Sequence, residues 1–265
     1  MTQKILIIGA GITGVSIAES LRRAGQKVTL VDRVPAGDSA QTSFGNAGLL
    51  ARAGVAPIAG PSILREVPRI LLDPNSPIKL RWSYLLRLMP WAAAMLRNGM
   101  QDRAKHIIPA MNELLYDTVE QHLNLAKGTK AAQYIKLGGV TSLYRKKSNF
   151  MADTFLNEAK KSVGIEWLEH DRASLVKRDP HLGPAYTFGV EYKGQGWLTD
   201  PSAYVAALAQ HFADNGGTIL THEVADIGTD RVTCKDGTVI MADTIILATG
   251  AWSKSLAKTF GHKVP

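Results

Sequence analysis

Lys4-Ile5-Leu6-Ile7-Ile8-Gly9-Ala10-Gly11-Ile12-Thr13-Gly14 is the stretch on which the reading of this chain turns. Lys4 to Ile8 is a short apolar run rich in β-branched residues, which predicts a buried strand. Glycines 9, 11 and 14 follow at once. Val15, Ala18 and Leu21 then recur at helical spacing and run into the stop signal Ala24-Gly25. Lys27 to Val31 predicts a second strand, closed by Asp32. Strand, glycine turn, helix, strand and acid in this order form the pattern of a dinucleotide-binding βαβ unit. Gly9 permits the tight turn, Gly11 lets a diphosphate approach the backbone, and Gly14 lets helix and strand pack closely. The helix N-terminus offers free amides and a partial positive charge to phosphates. Asp32 stands 18 residues after Gly14, where it can accept hydrogen bonds from ribose hydroxyls. The pattern alone does not separate FAD from NAD. Asp32 argues against a 2′-phosphate, and Arg33 offsets part of that charge.

The chain has 265 residues, enough for one large domain or two small ones. At 45% hydrophobic and 20% charged it has ordinary globular composition, which excludes a disordered tail or a fibre. Its 31 Lys and Arg against 23 Asp and Glu give a net charge of +8, a bias toward anionic partners. Cys234 is the single cysteine, so neither an internal disulfide nor a Cys-based zinc site is expected, and a reducing compartment fits. The longest run without Asp, Glu, Lys or Arg, Ile5 to Ala18, is 14 residues, short of a membrane span. Lys4 before that apolar run also resembles a secretory signal, but the glycine turn is the more specific reading.

A single NAD domain would continue with alternating strands and helices. Here Arg33 to Gly48 is a loop rich in Gly, Ser and Asn, containing Gln41-Thr42-Ser43-Phe44-Gly45-Asn46-Ala47-Gly48. It reads either as a plain surface loop or as backbone that a flat polar ligand can approach. Toward the other end, Thr218 to Leu220 predicts a strand after the break Asn215-Gly216-Gly217. Glu223 to Ile227, Arg231 to Cys234 and Thr238 to Met241 predict a meander turning at Asp236-Gly237. Asp243 to Leu247 predicts a buried strand running into Ala248-Thr249-Gly250-Ala251-Trp252-Ser253.

These residues resemble the FAD-dependent D-amino acid dehydrogenases, within the D-amino-acid-oxidase-like superfamily that includes glycine and sarcosine oxidases. The resemblance rests on the Gly9 to Gly14 turn with Asp32, the Thr42 to Gly48 loop, and Val67-Pro68 through Leu72-Asp73-Pro74. It rests also on Arg81-Trp82-Ser83-Tyr84-Leu85, Pro90-Trp91, Asp200-Pro201 and Ala248 to Ser253. It implies an α/β fold: a Rossmann-like FAD-binding domain carrying an inserted α+β domain with a mixed sheet and helices for substrate. The expected division is 1–50 and 193–265 for FAD, with 51–192 inserted. The cofactor-binding residues it implies are Ile8, Gly9, Gly11, Ile12, Thr13, Gly14, Asp32, Arg33, Thr42, Ser43, Asn46, Ala47, Gly48, Val224, Ala248, Thr249, Gly250 and Trp252. Ser43 and the Asn46 to Gly48 backbone would lie near the diphosphate and flavin, Val224 would meet the adenine side, and Gly250 and its neighbours would pack beneath the cofactor.

The resemblance further implies oxidative deamination of a D-amino acid, with hydride passing from the α-carbon to the flavin and the imine hydrolysing to a keto acid and ammonia. The alternatives are a glycine, sarcosine or hydroxyproline oxidase of the same superfamily, or an inactive FAD-binding fragment. A bidentate arginine is the natural clamp for the substrate carboxylate. Arg52 is the one candidate named, and a surface or phosphate-side role is the favoured reading of it. The family's electron acceptor is usually a quinone. From Leu50 to Ala110 there are nine bases (Arg52, Arg65, Arg69, Lys79, Arg81, Arg87, Arg97, Arg103, Lys105) against three acids (Glu66, Asp73, Asp102). Within this block Leu85, Leu88, Ala92 and Met95 form one helical stripe over Ile78 to Asn98, with Pro90 expected to kink or restart it. Such a segment either lies on an anionic bilayer or packs its stripe on the domain, and packing is favoured. The expected place is the cytoplasm, or the inner face of the plasma membrane as a peripheral protein.

Ala110 to Lys127 and Asn149 to Lys161 are expected helices. Tyr134 to Lys136, Val140 to Tyr144, Gly164 to Leu168 and Tyr186 to Tyr192 are expected strands. Asp200 is an N-cap and Pro201 a first residue for the helix Ser202 to Asp214. The seven histidines show no metal-ligand spacing, so no metal is expected, and neither nucleic acid nor a hydrolase triad has support. In the resembled family the chain continues past the point matching Val264-Pro265. An Arg-Gly-Tyr stretch, the rest of the substrate sheet and the usual carboxylate-binding Arg and Tyr lie in that continuation. The expectation is therefore that this sequence is the amino-terminal part of the family fold, with weak FAD binding and little activity alone.

Overall fold

The apolar run at the amino terminus forms strand β1 (Lys4–Ile8), whose residues from Ile5 onward are buried. Helix α1 (Ile12–Arg23) and strand β2 (Lys27–Asp32) complete the βαβ unit. This computed structural model describes residues 3–57, 79 and 81–262. The stretch Val67 to Pro74, the residue Ile78 that opens the expected basic helix, and Val264-Pro265 lie outside the described residues.

The chain divides into two units. The first comprises 1–49, 120–136 and 197–265, and the second 50–119 and 137–196. The expected insertion 51–192 therefore differs from the structure in its middle, because 120–136 returns to the first unit, and at its end, because 193–196 belong to the second. The reason is visible in that unit's own contacts. The Arg23 guanidinium donates to the carbonyls of Asn124 (2.9 Å) and Leu125 (2.7 Å), and His122 Nδ1 meets the Tyr204 hydroxyl at 2.9 Å.

In the first unit, Asp200 caps helix α2 (Pro201–Asp214) by accepting from the Ala203 amide, with Pro201 at the first helical position. Strand β3 (Thr218–Thr221) follows, then the meander β4 (Val224–Ile227), β5 (Arg231–Cys234) and β6 (Val239–Met241), then β7 (Thr244–Leu247). A parallel sheet forms in the order β7-β1-β2-β3. Ile8 stands opposite both Leu247 and Val31, and Asp32 opposite Thr221. The ends of these strands thus gather the glycine turn, the acid and the 248–252 segment at one edge. The meander is antiparallel, and its apolar face closes a core of Leu6, Ile8, Val31, Ile227, Val232 and Ala242. Residues of this kind, largely withdrawn from water, give about 1.5–3 kcal/mol each toward folding.

Helices α1 and α2 pack together within the first unit. Glu19, on α1, is fully buried. Its carboxylate accepts from Arg22 Nε (2.8 Å) and Arg23 Nε (2.6 Å), and His211 Nε2 of α2 lies 3.5 Å away. Burial alone would raise the Glu19 carboxyl, but the hydrogen bonds and charges of Arg22 and Arg23 outweigh it and hold the group below its ordinary value.

The second unit holds a three-stranded antiparallel sheet with Phe188–Tyr192 between Val140–Tyr144 and Trp167–Asp171. Its core joins Phe150, Phe188, Val190 and Tyr192 with Ala104 and Ile108. The strand expected at Gly164 to Leu168 lies instead at Trp167–Asp171, where it pairs with Phe188–Tyr192. Asp171 then caps an unexpected helix, Arg172–Arg178, through the Ser174 amide at 2.8 Å. The helix expected over Asn149 to Lys161 is two helices, Lys147–Met151 and Thr154–Ser162, the Ala152 and Asp153 amides turning back onto the first. The one expected from Ala110 to Lys127 is likewise two, Gln101–Leu115 and Thr118–Ala126. A helix at Leu85–Gly99 runs through Pro90 without interruption. The carbonyl of Leu86 loses its usual donor there, at a residue 87% exposed, where water can serve instead.

Replacing Glu19 tests the helix pair. Glu19→Ala should lower stability by about 2 kcal/mol, less than for a fully buried pair because both arginines reach water. The lowered carboxyl makes its contribution above the unfolded value of 4.5 and loses it as pH falls through the folded value. Urea melts across acid pH should therefore show a shallower loss below pH 4.5 in Glu19→Gln than in the parent chain.

Candidate functional site

Gly9 leaves β1 in a left-handed conformation (φ +107°), and an added Cβ would stand 2.5 Å from the Ala248 carbonyl oxygen. An added Cβ on Gly14 would collide with the Gly9 carbonyl. These two positions have no room for a side chain because β1, α1 and the end of β7 meet there backbone to backbone. At Gly11 the situation is opposite: the nearest atom to an added Cβ would be Ser43 Oγ at 3.4 Å. The backbone at Gly11 thus presents an open face.

Gly11 caps α1 without a side-chain hydrogen bond, and the first turn carries no acid. The Ile12 amide donates to Ser43 Oγ at 3.0 Å. Helix geometry leaves the Thr13 and Gly14 amides without acceptors inside α1. A helix start with two amides left open and no acid in its first turn is positive, and it suits an anion.

Asp32 ends β2 beside this turn. Its Oδ2 accepts from the Ala10 amide at 2.6 Å and from Gln41 Nε2 at 3.1 Å, and its Oδ1 from the Val34 amide at 3.3 Å. Three donors fix the carboxylate, and its oxygens keep lone pairs for a further donor. Gln41 also accepts from the Gly37 amide at 2.9 Å, tying the 33–48 loop to the acid. Gln41 was absent from the sequence-predicted set. Nothing in its spacing marks it, since it lies in a loop and acts through one side-chain amide.

Within the loop, the Asn46 amide donates to the Ser43 carbonyl at 3.4 Å and the Gly48 amide to Asn46 Oδ1 at 2.7 Å. The chain is anchored at its end by the Leu198 amide, which donates to the Gly48 carbonyl at 2.7 Å. Thr42 and Ala47 belong to the same turn-rich segment. Across the site, the Ala248 amide donates to the Ile8 carbonyl at 2.8 Å, and Thr249 Oγ1 lies 3.0 Å from Ser253 Oγ. The Arg33 guanidinium stacks 4.9 Å from the centre of the Trp252 ring, joining two residues that are 219 apart in sequence. Gly250 is exposed beside Trp252. Val224 begins β4, three residues after the Thr221 that faces Asp32, with its side chain packed on the meander core.

The first unit therefore brings together the glycine turn, Asp32, Arg33, the loop, and 248–252. Arg52 belongs to the second unit, where its guanidinium packs against the turns at Gly164 and Gly194.

Residues 4–265 match the protein-family model described as DAO, FAD dependent oxidoreductase. A D-amino-acid oxidase of Bradyrhizobium diazoefficiens is 36% identical over 98% of this chain and 63% of its own length. A D-amino acid dehydrogenase of Rhizobium johnstonii is 29% identical over 99% of this chain and 64% of its own. The chain thus spans less than two thirds of these relatives. Among solved structures, a glycine oxidase from Bacillus cereus shares the fold with a TM-score of 0.62 at 18% identity, covering 98% of this chain and 58% of that one. Among the described residues no helix is long and apolar enough to cross a membrane.

The glycines separate structure from binding. Gly14→Ala should cost several kcal/mol, since backbone must move, and should appear as a large drop in melting temperature. Gly11→Ala should melt within a few degrees of the parent and yet bind FAD roughly tenfold or more weakly, about 1.4 kcal/mol, in a flavin-fluorescence titration.

Proposed function

The chain belongs to the DAO family of FAD dependent oxidoreductases, and from that premise we propose that its first unit seats FAD at the glycine turn and serves to oxidise the C–N bond of a D-amino acid. The observation that carries the reading is the pairing of a helix start, whose first turn holds no acid and leaves the Thr13 and Gly14 amides open, with a carboxylate fixed beside it. The Thr13 and Gly14 amides receive the diphosphate, which the bare Gly11 allows to come close. Asp32, held by Ala10, Val34 and Gln41, keeps its charge pointed at the sugar hydroxyls. Ile8 and Ile12 flank the turn. Thr42, Ser43, Asn46, Ala47 and Gly48 supply backbone along the flavin side, and Val224 supplies it on the adenine side. Ala248, Thr249 and Gly250 form the floor, and Arg33 stacked on Trp252 closes the edge. When bound, FAD supplies the acceptor for the hydride that leaves the substrate's α-carbon. The D-amino acid class rests on the names of the relatives, a D-amino-acid oxidase and a D-amino acid dehydrogenase.

We propose further that the electron acceptor is a quinone met at a membrane surface. Trp82 (69%), Leu86 (87%) and Trp91 (62%) are exposed around the helix Leu85–Gly99, with Tyr84 and Met89 beside them. Leu85, Leu88, Ala92 and Met95, the stripe read from the sequence, are the half-buried face. From Lys79 to Gln101 the sequence has Lys79, Arg81, Arg87 and Arg97 and no acid. An aromatic outer face among bases suits anionic headgroups.

Three measurements test these readings. Asp32→Asn should fold normally and lose about tenfold in FAD affinity. The FAD-loaded chain, offered D-alanine, sarcosine or D-hydroxyproline with a dye acceptor, should reduce dye slowly, and fastest with D-alanine. Preference for either other amine would reassign the substrate, and tighter binding of NAD than of FAD would overturn the reading. For the surface, sedimentation with phosphatidylglycerol vesicles should exceed that with phosphatidylcholine and fall in Trp82→Ala and Trp91→Ala. Equal sedimentation with both lipids would remove the membrane from the proposal.

A further inference from the structure

The meander that closes the core also gathers three metal-ligating side chains that the nucleotide site does not use. His222 lies just after β3, Cys234 ends β5, and Asp236 sits in the β5–β6 turn. One ligand atom from each lies within 4.8 Å of the other two. His222 Nδ1 is 2.7 Å from Asp236 Oδ2.

The backbone of each is pinned. The His222 amide donates to the Asp32 carbonyl at 3.0 Å, and the Cys234 amide to the Thr238 carbonyl at 2.8 Å. The Thr238 amide donates to Asp236 Oδ1 at 2.9 Å, leaving Oδ2 turned toward the histidine. Exposure is graded: the Asp236 side chain is 52% exposed and His222 28%, while Cys234 is buried. The nearest base in sequence, Lys235, pairs with Glu223 at 2.8 Å, so its charge is engaged there.

We propose that His222, Cys234 and Asp236 form a binding site for a zinc-class divalent metal ion, with a fourth position open to water. One thiolate, one imidazole and one carboxylate suit a borderline-soft ion that accepts tetrahedral geometry, and they do not suit magnesium or calcium. Metal–ligand bonds of about 2.0–2.3 Å need donor atoms about 3.3–3.7 Å apart. The His222–Asp236 pair therefore opens by less than about 1 Å to admit the ion, and its hydrogen bond holds the two ligands in place until then. On binding, the S–H bond of Cys234 breaks, a metal–sulfur bond forms, and the proton passes to solvent; no oxidation state changes. Sequence spacing hides this site, because its members are 12 and 2 residues apart and meet only when the hairpin pairs.

The test uses the untagged chain, titrated with cobalt(II) chloride and then zinc chloride, with folding followed by circular dichroism. The expected result is a thiolate-to-cobalt charge-transfer band that saturates at one equivalent and is displaced by zinc but not by magnesium. Cys234→Ser should abolish the band, and Asp236→Asn, at an exposed turn, should weaken cobalt binding by roughly tenfold or more. A folded parent chain with no such band would overturn the proposal. So would a band that survives Cys234→Ser, or equal displacement by magnesium. If Cys234→Ser fails to fold, unchanged cobalt affinity in Asp236→Asn overturns it instead.

Discussion

Backbone contact without side chains between Gly9, Gly14 and Ala248 is the constraint on which the first unit depends. An added methyl at Gly9 or Gly14 would strike carbonyl oxygen, so β1, α1 and the end of β7 can approach as they do only because those positions are bare. That approach sets where α1 starts. The start of α1 in turn sets where its unpaired amides point, and it brings the Ala10 amide within 2.6 Å of Asp32. Packing and ligand chemistry are here one requirement: the close turn that stabilises the βαβ unit is also what leaves Gly11 open.

Electrostatics organises the same unit at its opposite end. Glu19 is buried inside α1, yet two arginines one turn along outweigh the cost of its burial. The same arginines reach carbonyls of Asn215, Asn124 and Leu125, so one carboxylate orients links to two separate stretches of chain. A unit assembled from discontinuous segments needs such links, because chain connectivity does not hold its pieces together. In the second unit Glu191 plays a comparable part. Hydrogen bonding from Arg178, with His170 alongside, holds its carboxyl at about 2.

The proposed functions divide between the sheet edge and the surface. The sheet edge offers an anion cradle and a fixed acid, the chemistry of a nucleotide site. The helix Leu85–Gly99 offers tryptophans and bases, the chemistry of an anionic surface. The meander offers imidazole, thiolate and carboxylate, the chemistry of a soft metal. Each follows from residue types that strand register or helix packing gathers at one edge, face or turn.

The sequence by itself determined the βαβ unit, the close packing at Gly9 and Gly14, the meander and the capped helix at Pro201, and its Thr42 to Gly48 loop and tryptophan segments pointed to the family. Those features are local: period, turn chemistry and capping act over a few residues, so they can be read along the chain. It misplaced the strand at Trp167–Asp171 and missed the helix after Asp171, because a short apolar run shifts with its pairing partner, here Phe188–Tyr192. Only the tertiary structure decided that 120–136 returns to the first unit, that Gln41 locks onto Asp32, that Arg33 stacks on Trp252, and that His222, Cys234 and Asp236 converge. Each of these joins residues whose meeting is set by strand register and helix packing, and pairwise distance of that kind has no periodic trace in a single chain of letters.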